Sequence, residues 1–264
     1  MKPMRCAAAL LLAAPTGALA EELEGPAICT DRPAKANAVC TVPKDKWQLE
    51  SGLVGWSLTN SEGTETQVLA LGASAIKLGL SAHSDVQVFV NPSVHTEQVT
   101  EGVRSEATGF GDLTIRYKRR FTNDGSKVQA AAIPFVKVPI ASDNVGNGKV
   151  EGGLAVPISI AAGPVTLVFG PELDVLADAN GQGHHAAVVN LVNVSGPIAD
   201  GLTLIGEVWT MTNFDPTATA TLVSLDAALA YAITGRLQLD LGANFGLKKP
   251  TPDTELYLGV SARF

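Results

Sequence analysis

The sequence is poor in the residues on which many enzymes and nucleic-acid-binding proteins depend. Among 264 residues there are three cysteines, four histidines and only 5% aromatic residues. Basic residues are scarce as well, because 19 Lys and Arg stand against 26 Asp and Glu and give a formal net charge of −7. Phosphate contacts require clustered Lys and Arg, so this composition argues against a nucleic-acid partner.

Motifs for catalysis and metal binding are missing too. An enzyme would need a nucleophile, a base and an orienting group within reach. There is no G-x-S-x-G, and no histidine belongs to a recognisable Ser or zinc motif; the histidines are His83, His95, His184 and His185. The stretch "DANGQGHH" (178–185) begins like a calcium-binding loop, but Val189 stands where the closing Glu should be. We predict no catalytic residue, no metal and no cofactor.

Long apolar runs are also absent. Beyond the N-terminus, no stretch reaches the 18 consecutive apolar residues that indicate a membrane-spanning helix. Residues 1–20 have the pattern of a secretory signal peptide, with Lys2 and Arg5 before a short apolar run and Ala18-Leu19-Ala20 at its end. Cleavage after Ala20 would remove two positive charges and lower the net charge from −7 to −9. We therefore expect the chain to be exported.

Two cysteines, Cys29 and Cys40, would remain after export, in the stretch "CTDRPAKANAVC". Two close cysteines in an oxidising compartment most often form a disulfide, which constrains the unfolded chain. A metal site would need further ligands nearby, and no His lies within this stretch. We predict a Cys29–Cys40 disulfide.

Alternation of apolar and polar residues is what the sequence has in abundance. In "RLQLDLGANFGL" (236–247), Leu237, Leu239 and Leu241 alternate with Gln238 and Asp240, which is the period of a strand with two different faces. Similar runs are separated by turn-forming residues. They predict about twelve strands, at 46–58, 65–78, 84–95, 109–121, 126–140, 148–161, 164–177, 185–195, 201–213, 219–233, 236–247 and 254–264.

Two architectures fit such strands, a secreted β-sandwich and a membrane barrel. Strands of about 11–15 residues exceed the usual soluble length and suit a tilted membrane crossing. Connections alternate between short turns and longer polar loops, led by 94–109, as in outer-membrane barrels. Aromatic residues also stand at the predicted periplasmic strand ends, namely Trp47, Phe121, Tyr231 and Phe264. The low aromatic content, and Pro92 and Pro134 within strands, argue in the other direction.

The barrel accounts for more of these features. We predict an all-β protein in which residues 45–264 form a single antiparallel up-and-down transmembrane β-barrel of about twelve strands. It would lie in the outer membrane of a Gram-negative bacterium. Residues 21–44, with the Cys29–Cys40 loop, would form a periplasmic N-terminal segment.

Four stretches resemble a family of bacterial outer-membrane barrels assigned to transport in the meta-pathway of phenol degradation. They are "RPAKANAVCTVPKDKWQLESG", "GFGDLTIRYKRRF", "PELDVLADANGQGHHAAVVNLVNVSGPI" and "LQLDLGANFGLKKPTPDTELYLGVSARF". The resemblance covers the chain from about residue 32 to its end, and "GDLTIRYK" and "PDTELYLGVSARF" are its more telling parts. It implies an outer-membrane location and uptake of small compounds, with aromatic and hydrophobic ones as candidates. It also implies that Gly259 and Phe264, in the last strand, belong to the signal read by the outer-membrane insertion machinery.

If the apolar faces meet lipid, the polar faces line a lumen. The charged residues predicted there are Asp112, Arg116, Lys118, Arg120, Glu172, Asp174, Glu207, Asp226 and Asp240. They would either orient solutes along a passive pathway or pair with one another and plug a narrow barrel. We predict a passive channel for small solutes, with a closed structural or adhesive barrel as the alternative. Its partners would be the lipid bilayer, the insertion machinery and small-molecule solutes.

Overall fold

The structure, a computed structural model, describes residues 27–264; the predicted signal peptide and the rest of residues 1–26 lie outside the described residues. Sixteen strand segments form one sheet. They are β1 (Trp47–Ser61), β2 (Thr64–Ser81), β3 (Ser84–Val90), β4 (Ser93–Thr100), β5 (Val103–Gly109), β6 (Leu113–Arg120), β7 (Val128–Val138), β8 (Glu151–Ala155), β9 (Ile158–Ala162), β10 (Val165–Phe169), β11 (Glu172–Ala177), β12 (His184–Ala199), β13 (Leu202–Asn213), β14 (Ala220–Thr234), β15 (Leu237–Lys248) and β16 (Thr254–Arg263). Within the described residues, no helix is long and apolar enough to cross a membrane.

The sixteen segments make twelve antiparallel strands that close into a barrel. Four strands are interrupted once each, so β3 and β4, β5 and β6, β8 and β9, and β10 and β11 each form one crossing. Closure comes from β1, which pairs with β2 on one side and β16 on the other. The register against β16 runs from Gln48 opposite Arg263 to Leu58 opposite Thr254. The predicted twelve-stranded barrel is confirmed.

The barrel is inverted relative to a soluble protein, with apolar side chains outside and polar ones inside. Along β15, Gln238, Asp240 and Asn244 are buried, whereas Leu239 and Leu241 are 40% and 53% exposed. The same alternation follows the other strands, and the exposed side chains are mostly Leu, Val, Ile and Phe. A lipid-facing surface permits this arrangement, because hydrocarbon replaces water around the apolar faces.

The long loop predicted at 94–109 is wrong. Most of it forms the hairpin β4–β5, in register from Val94 opposite Gly109 to Thr100 opposite Val103. The turn lies at Glu101 and Gly102, both of which have positive φ angles, as a type I′ two-residue hairpin turn requires. The local strand pattern therefore extends the barrel wall instead of ending it.

The two ends of the barrel differ. We call the end that holds Trp47 and Phe264 the turn end, because four strand pairs there are joined by two residues, at 82–83, 163–164, 200–201 and 235–236, and one by the longer connection 121–127. At the opposite end, the loop end, connections include 139–150, 178–183 and 214–219. The predicted asymmetry between turns and loops is thus present, although two loop-end connections are tight hairpins.

A positive charge on the outer face should destabilise the barrel. Replacing Leu241, 53% exposed in the middle of β15, by Arg should cost about 2–4 kcal/mol, because a guanidinium near the bilayer midplane loses hydration. Urea unfolding of protein reconstituted in lipid vesicles measures the loss. Val103→Arg, at the β4–β5 turn where the side chain is 73% exposed, is the matched control and should change stability by less than about 1 kcal/mol.

Candidate functional site

The interior of the barrel contains a stretch of the N-terminal chain. We call residues 28–42 the lumenal segment, because its polar groups contact inward-facing side chains of β1, β2, β3, β6, β13, β14, β15 and β16. The sequence had suggested a periplasmic position for residues 21–44. The difference arises because the acidic and basic groups of this stretch complement charges that the barrel encloses.

Asp31 is the central anchor of the lumenal segment. Its carboxylate accepts from Lys77 Nζ at 2.5 Å and from Lys118 Nζ at 2.8 Å. Glu50 lies 2.5 Å from the same Lys77 ammonium and also accepts the backbone N–H of Asp31. Burial alone would raise the pKa of Asp31, but Lys118 and Lys77 outweigh it and hold that pKa well below its usual range. The carboxylate is therefore ionised at neutral pH.

Arg32 ties the segment to β15, which is two strands from β1 in the sheet. Its guanidinium donates to both carboxylate oxygens of Asp240, at 2.7 and 3.2 Å, and the Asp240 side chain is fully buried. This forked geometry is the strongest form of ion pair between side chains. Gly259, on β16, leaves the room for it, since a Cβ there would collide with the Arg32 guanidinium.

Lys35 and its neighbour extend the contact to β13 and β14. The backbone N–H groups of Lys35 and Ala36 each donate to Glu207 at 3.0 Å. The Lys35 ammonium lies 3.2 Å from Asp226 and 4.7 Å from the ring centroid of Trp209. Backbone groups that the segment brings into the lumen thus find partners, as buried polar groups must.

The predicted disulfide is confirmed. Cys29 and Cys40 are bonded, with their Cα atoms 6.1 Å apart. The bridge closes the lumenal segment into a loop that contains Asp31, Arg32 and Lys35. The disulfide therefore reduces the number of conformations that this loop can adopt when Asp31, Arg32 and Lys35 are not bound to the barrel.

Two cavities lie on either side of the lumenal segment. The larger, about 410 Å³, extends towards the loop end and is lined by residues such as Phe89, Arg116 and Trp209. The smaller, about 320 Å³, lies nearer the turn end and is lined by Gln129 and Thr166 among others. Both are bordered by the same stretch of the segment, so the segment separates them.

The nine charged residues predicted to line the lumen occupy three settings. Five contact the lumenal segment: Arg116, Lys118, Glu207, Asp226 and Asp240. Two border the larger cavity, Glu172 and Asp174. The remaining two lie near the barrel ends, where Asp112 pairs with Lys137 at 3.0 Å, and Arg120 contacts Asp124 and the Ala82 carbonyl.

The partners of these residues were not among the site residues predicted from the sequence. Asp31, Arg32 and Lys35 were assigned only to a disulfide loop, and Glu50 and Lys77 were not singled out. The sequence does carry a signal for Lys77, because this residue is the lone charge in the apolar stretch "ALGASAIKLGLS". In the structure its side chain is only 1% exposed. A buried lysine requires a carboxylate partner.

The closed sheet, its apolar outer face and its polar lumen define an outer-membrane β-barrel. The family model described as "Putative MetA-pathway of phenol degradation" matches residues 30–264, and the chain belongs to this family. The match begins within the lumenal segment, so the family's shared sequence includes most of that segment as well as the barrel.

Solved structures show the same fold at low sequence identity. An outer membrane channel from Pseudomonas putida F1 aligns with a TM-score of 0.69 and 11% identity, over 86% of this chain and 98% of that one. The NalP autotransporter translocator domain from Neisseria meningitidis gives 0.55 and 11%, over 84% and 90%. The NanC porin gives 0.53 and 11%, over 81% and 98%. No curated protein matches the sequence.

Removing the Asp31 charge should loosen the segment. In Asp31→Asn, Lys77 and Lys118 lose a shared carboxylate, at a cost of about 3 kcal/mol. Amide hydrogen exchange of residues 31–38, followed by mass spectrometry, should then be about 100-fold faster. Asp143→Asn, in the exposed 139–150 loop, should leave exchange unchanged.

Asp31 also sets how the protection of the lumenal segment from amide exchange depends on pH. Because the pKa of Asp31 is lowered from 3.8, its contribution is complete above that value and is lost only as pH falls through the lower, folded-state pKa. Exchange of residues 31–38, corrected for intrinsic rates, should therefore show no loss of protection between pH 7 and pH 5. A loss of protection within that window would show that Asp31 is not the anchor.

Gly259→Ala should displace Arg32 from Asp240, because the new methyl group occupies the position of the guanidinium. We expect exchange of residues 31–38 to rise about tenfold, less than for Asp31→Asn, since the flexible Arg32 side chain can move aside. Gly55→Ala is the control, because a Cβ at Gly55 has no atom within 4 Å. Equal exchange in both variants would exclude this packing role for Gly259.

Proposed function

We propose that this protein is a passive outer-membrane channel for small solutes, closed in the resting state by its lumenal segment. The observation that carries the proposal is the pair of cavities of about 410 and 320 Å³, both of which are lined by residues 31, 32, 34 and 37 of that segment. A solute could pass from one to the other if the segment moved a short distance.

The substrate class follows from the family and from the lining. A family described by phenol degradation supports small aromatic or hydrophobic compounds as solutes. The larger cavity offers Phe89, Leu191 and Trp209 beside charged groups, which suits compounds with an apolar body. The sequence contains no ATP-binding motif, so we propose that flux runs down a concentration gradient.

The ion pairs make the closure reversible in principle. A buried pair stabilises less than its distance suggests, because desolvation of both charges offsets their attraction. Moving the segment towards water would restore that hydration while breaking the contacts. We therefore propose that the lumenal segment shifts as a disulfide-closed unit and needs no unfolding of the barrel.

Assembly is a separate part of the proposal. Trp47 and Phe264 exchange backbone hydrogen bonds, at 2.8 and 3.3 Å, where β1 meets β16. Phe264 is 69% exposed on the outer surface. We propose, from the family resemblance, that the insertion machinery reads Gly259 and Phe264, and that Gly259 also accommodates Arg32.

Two other functions are less well supported. A closed structural or adhesive barrel would have no need of two cavities separated by a segment held through ion pairs. An enzyme would need a nucleophile beside a base. We propose no catalytic role for the lumen, whose charged groups contact the segment and one another.

The proposal is tested by conductance and by solute flux. Wild-type protein in planar bilayers should give rare, brief openings, and Asp31→Asn with Asp240→Asn should increase the open fraction about tenfold. Liposomes that contain the double variant should swell in solutions of phenol, of a short-chain fatty acid or of a sugar. The order of the three swelling rates gives the order in which the channel passes these solutes. Asp143→Asn should behave as wild type.

Exclusion of all three solutes by both wild type and the double variant, with no conductance, would eliminate the channel. In that case loop-dependent binding to a partner would support the structural barrel. The double variant and Asp143→Asn must first show the heat-modifiable gel mobility of a folded barrel.

A further inference from the structure

We propose that the wall of the larger cavity around Glu172 and Asp174 is a binding subsite for small molecules with an apolar body and a hydrogen-bond-donating head group, an alcohol or a protonated amine. The inference rests on the proposed channel function and names the chemistry that the lumen would select. It is carried by the cavity, by a buried acceptor without a partner and by an apolar wall beside it.

The two carboxylates differ from the other acidic groups that border this cavity. Asp31, Arg32, Lys35 and Glu50 also border this cavity, but each has an ion-pair partner within 4.0 Å. In the described part of the chain, neither Glu172 nor Asp174 has a basic group at that distance. Asp174 is only 7% exposed, and its Oδ1 has no hydrogen-bond partner there. A buried acceptor left open in this way costs free energy that a ligand donor can recover.

Arg116, the nearby cation, is already engaged. Its Nη1 donates to Asn37 Oδ1 at 3.0 Å, and its guanidinium carbon lies 4.3 Å from the Phe89 ring centroid and 5.5 Å from that of Phe135. Its Nε is buried without a hydrogen-bond partner. A stacked guanidinium is a poor site for a free carboxylate but can still donate one bond to a hydroxyl oxygen.

Strand register places small residues on both sides of Asp174. Gly153 on β8 and Ala187 on β12 are its direct neighbours in the sheet. A Cβ at Gly153 would lie 2.5 Å from Asp174 Oδ1 and 2.7 Å from the Phe135 ring. Because these two neighbours are small, the Asp174 side chain lies in a recess of the barrel wall.

Apolar side chains continue the wall from this recess. Val189 and Leu191 on β12, followed by Trp209 and Met211 on β13, line the same cavity. A volume of about 410 Å³ is in the range of small-molecule sites. An apolar body can therefore pack on β12 and β13 while its head group donates to a carboxylate of β11. An anionic head would meet two acidic side chains and be disfavoured.

The alternative is that Glu172 and Asp174 serve only the barrel wall, by contacting each other and the Arg116 charge. In that case their neutral isosteres would leave ligand binding unchanged. Probes with one shared body and different head groups separate the two possibilities, and they also distinguish an alcohol from an amine.

The test is calorimetric titration of the full-length protein in detergent with benzyl alcohol, benzylammonium and benzoate. We expect the alcohol and the ammonium to bind about tenfold more tightly than benzoate. In Glu172→Gln with Asp174→Asn, the preference for benzylammonium over benzoate should fall to about twofold or less. Glu106→Gln, on the exposed β4–β5 hairpin, removes one carboxylate elsewhere and should preserve the wild-type order.

Trp209→Leu is a second variant, for use if the double substitution prevents folding. It should weaken all three probes by a similar factor, because it shortens the apolar wall without changing the head-group site. Benzoate binding as tightly as the other two probes, or an unchanged order in the double variant, would overturn the subsite. Binding without conductance in bilayers would instead support the subsite and contradict the channel, so the two failures are distinguishable.

Discussion

Charged groups enclosed within a barrel need ion-pair or hydrogen-bond partners inside the same barrel, and this constraint shapes the whole interior. Lys77 and Lys118 are each 1% exposed, and Glu207 and Asp240 are 3% and 2% exposed. Each would be costly to leave unpaired. Asp31, Arg32 and the backbone of Lys35 and Ala36 supply the missing partners from outside the sheet. The N-terminal chain is thus part of the lumen's chemistry.

This dependence connects assembly, closure and selectivity. Strands reach register because each backbone group finds a partner in the next strand, and β1 completes the circle against β16. The enclosed polar faces then favour a complementary segment, whose disulfide holds three charged residues in one loop. Two cavities lie on either side of this segment. Glu172 and Asp174 remain as the acidic pair of the larger cavity that the segment leaves without a cationic partner.

Much of the fold was predictable because strand periodicity is a local property. Leu239 and Leu241 face outward, and Asp240 faces inward, as the alternation indicated. The loop prediction at 94–109 was wrong because a polar composition does not by itself exclude a paired hairpin. A hairpin beyond the membrane keeps its pairing while both faces meet water, so Glu97 and Glu106 are compatible with strands. Lys118 and Asp240 are buried, but their partners lie 87 and 208 residues away in the chain.

The sequence by itself indicated the strands and the two faces of each strand, because alternation depends on residues two apart along one strand. Strand length, the positions of the connections and the family resemblance then indicated an outer-membrane barrel. Only the tertiary structure decided what fills the barrel. Pairing between Asp31 and Lys77, or Arg32 and Asp240, depends on the curvature of a closed sheet that brings distant strands around one short segment. No local pattern encodes that enclosure, since it exists only after β1 and β16 have met.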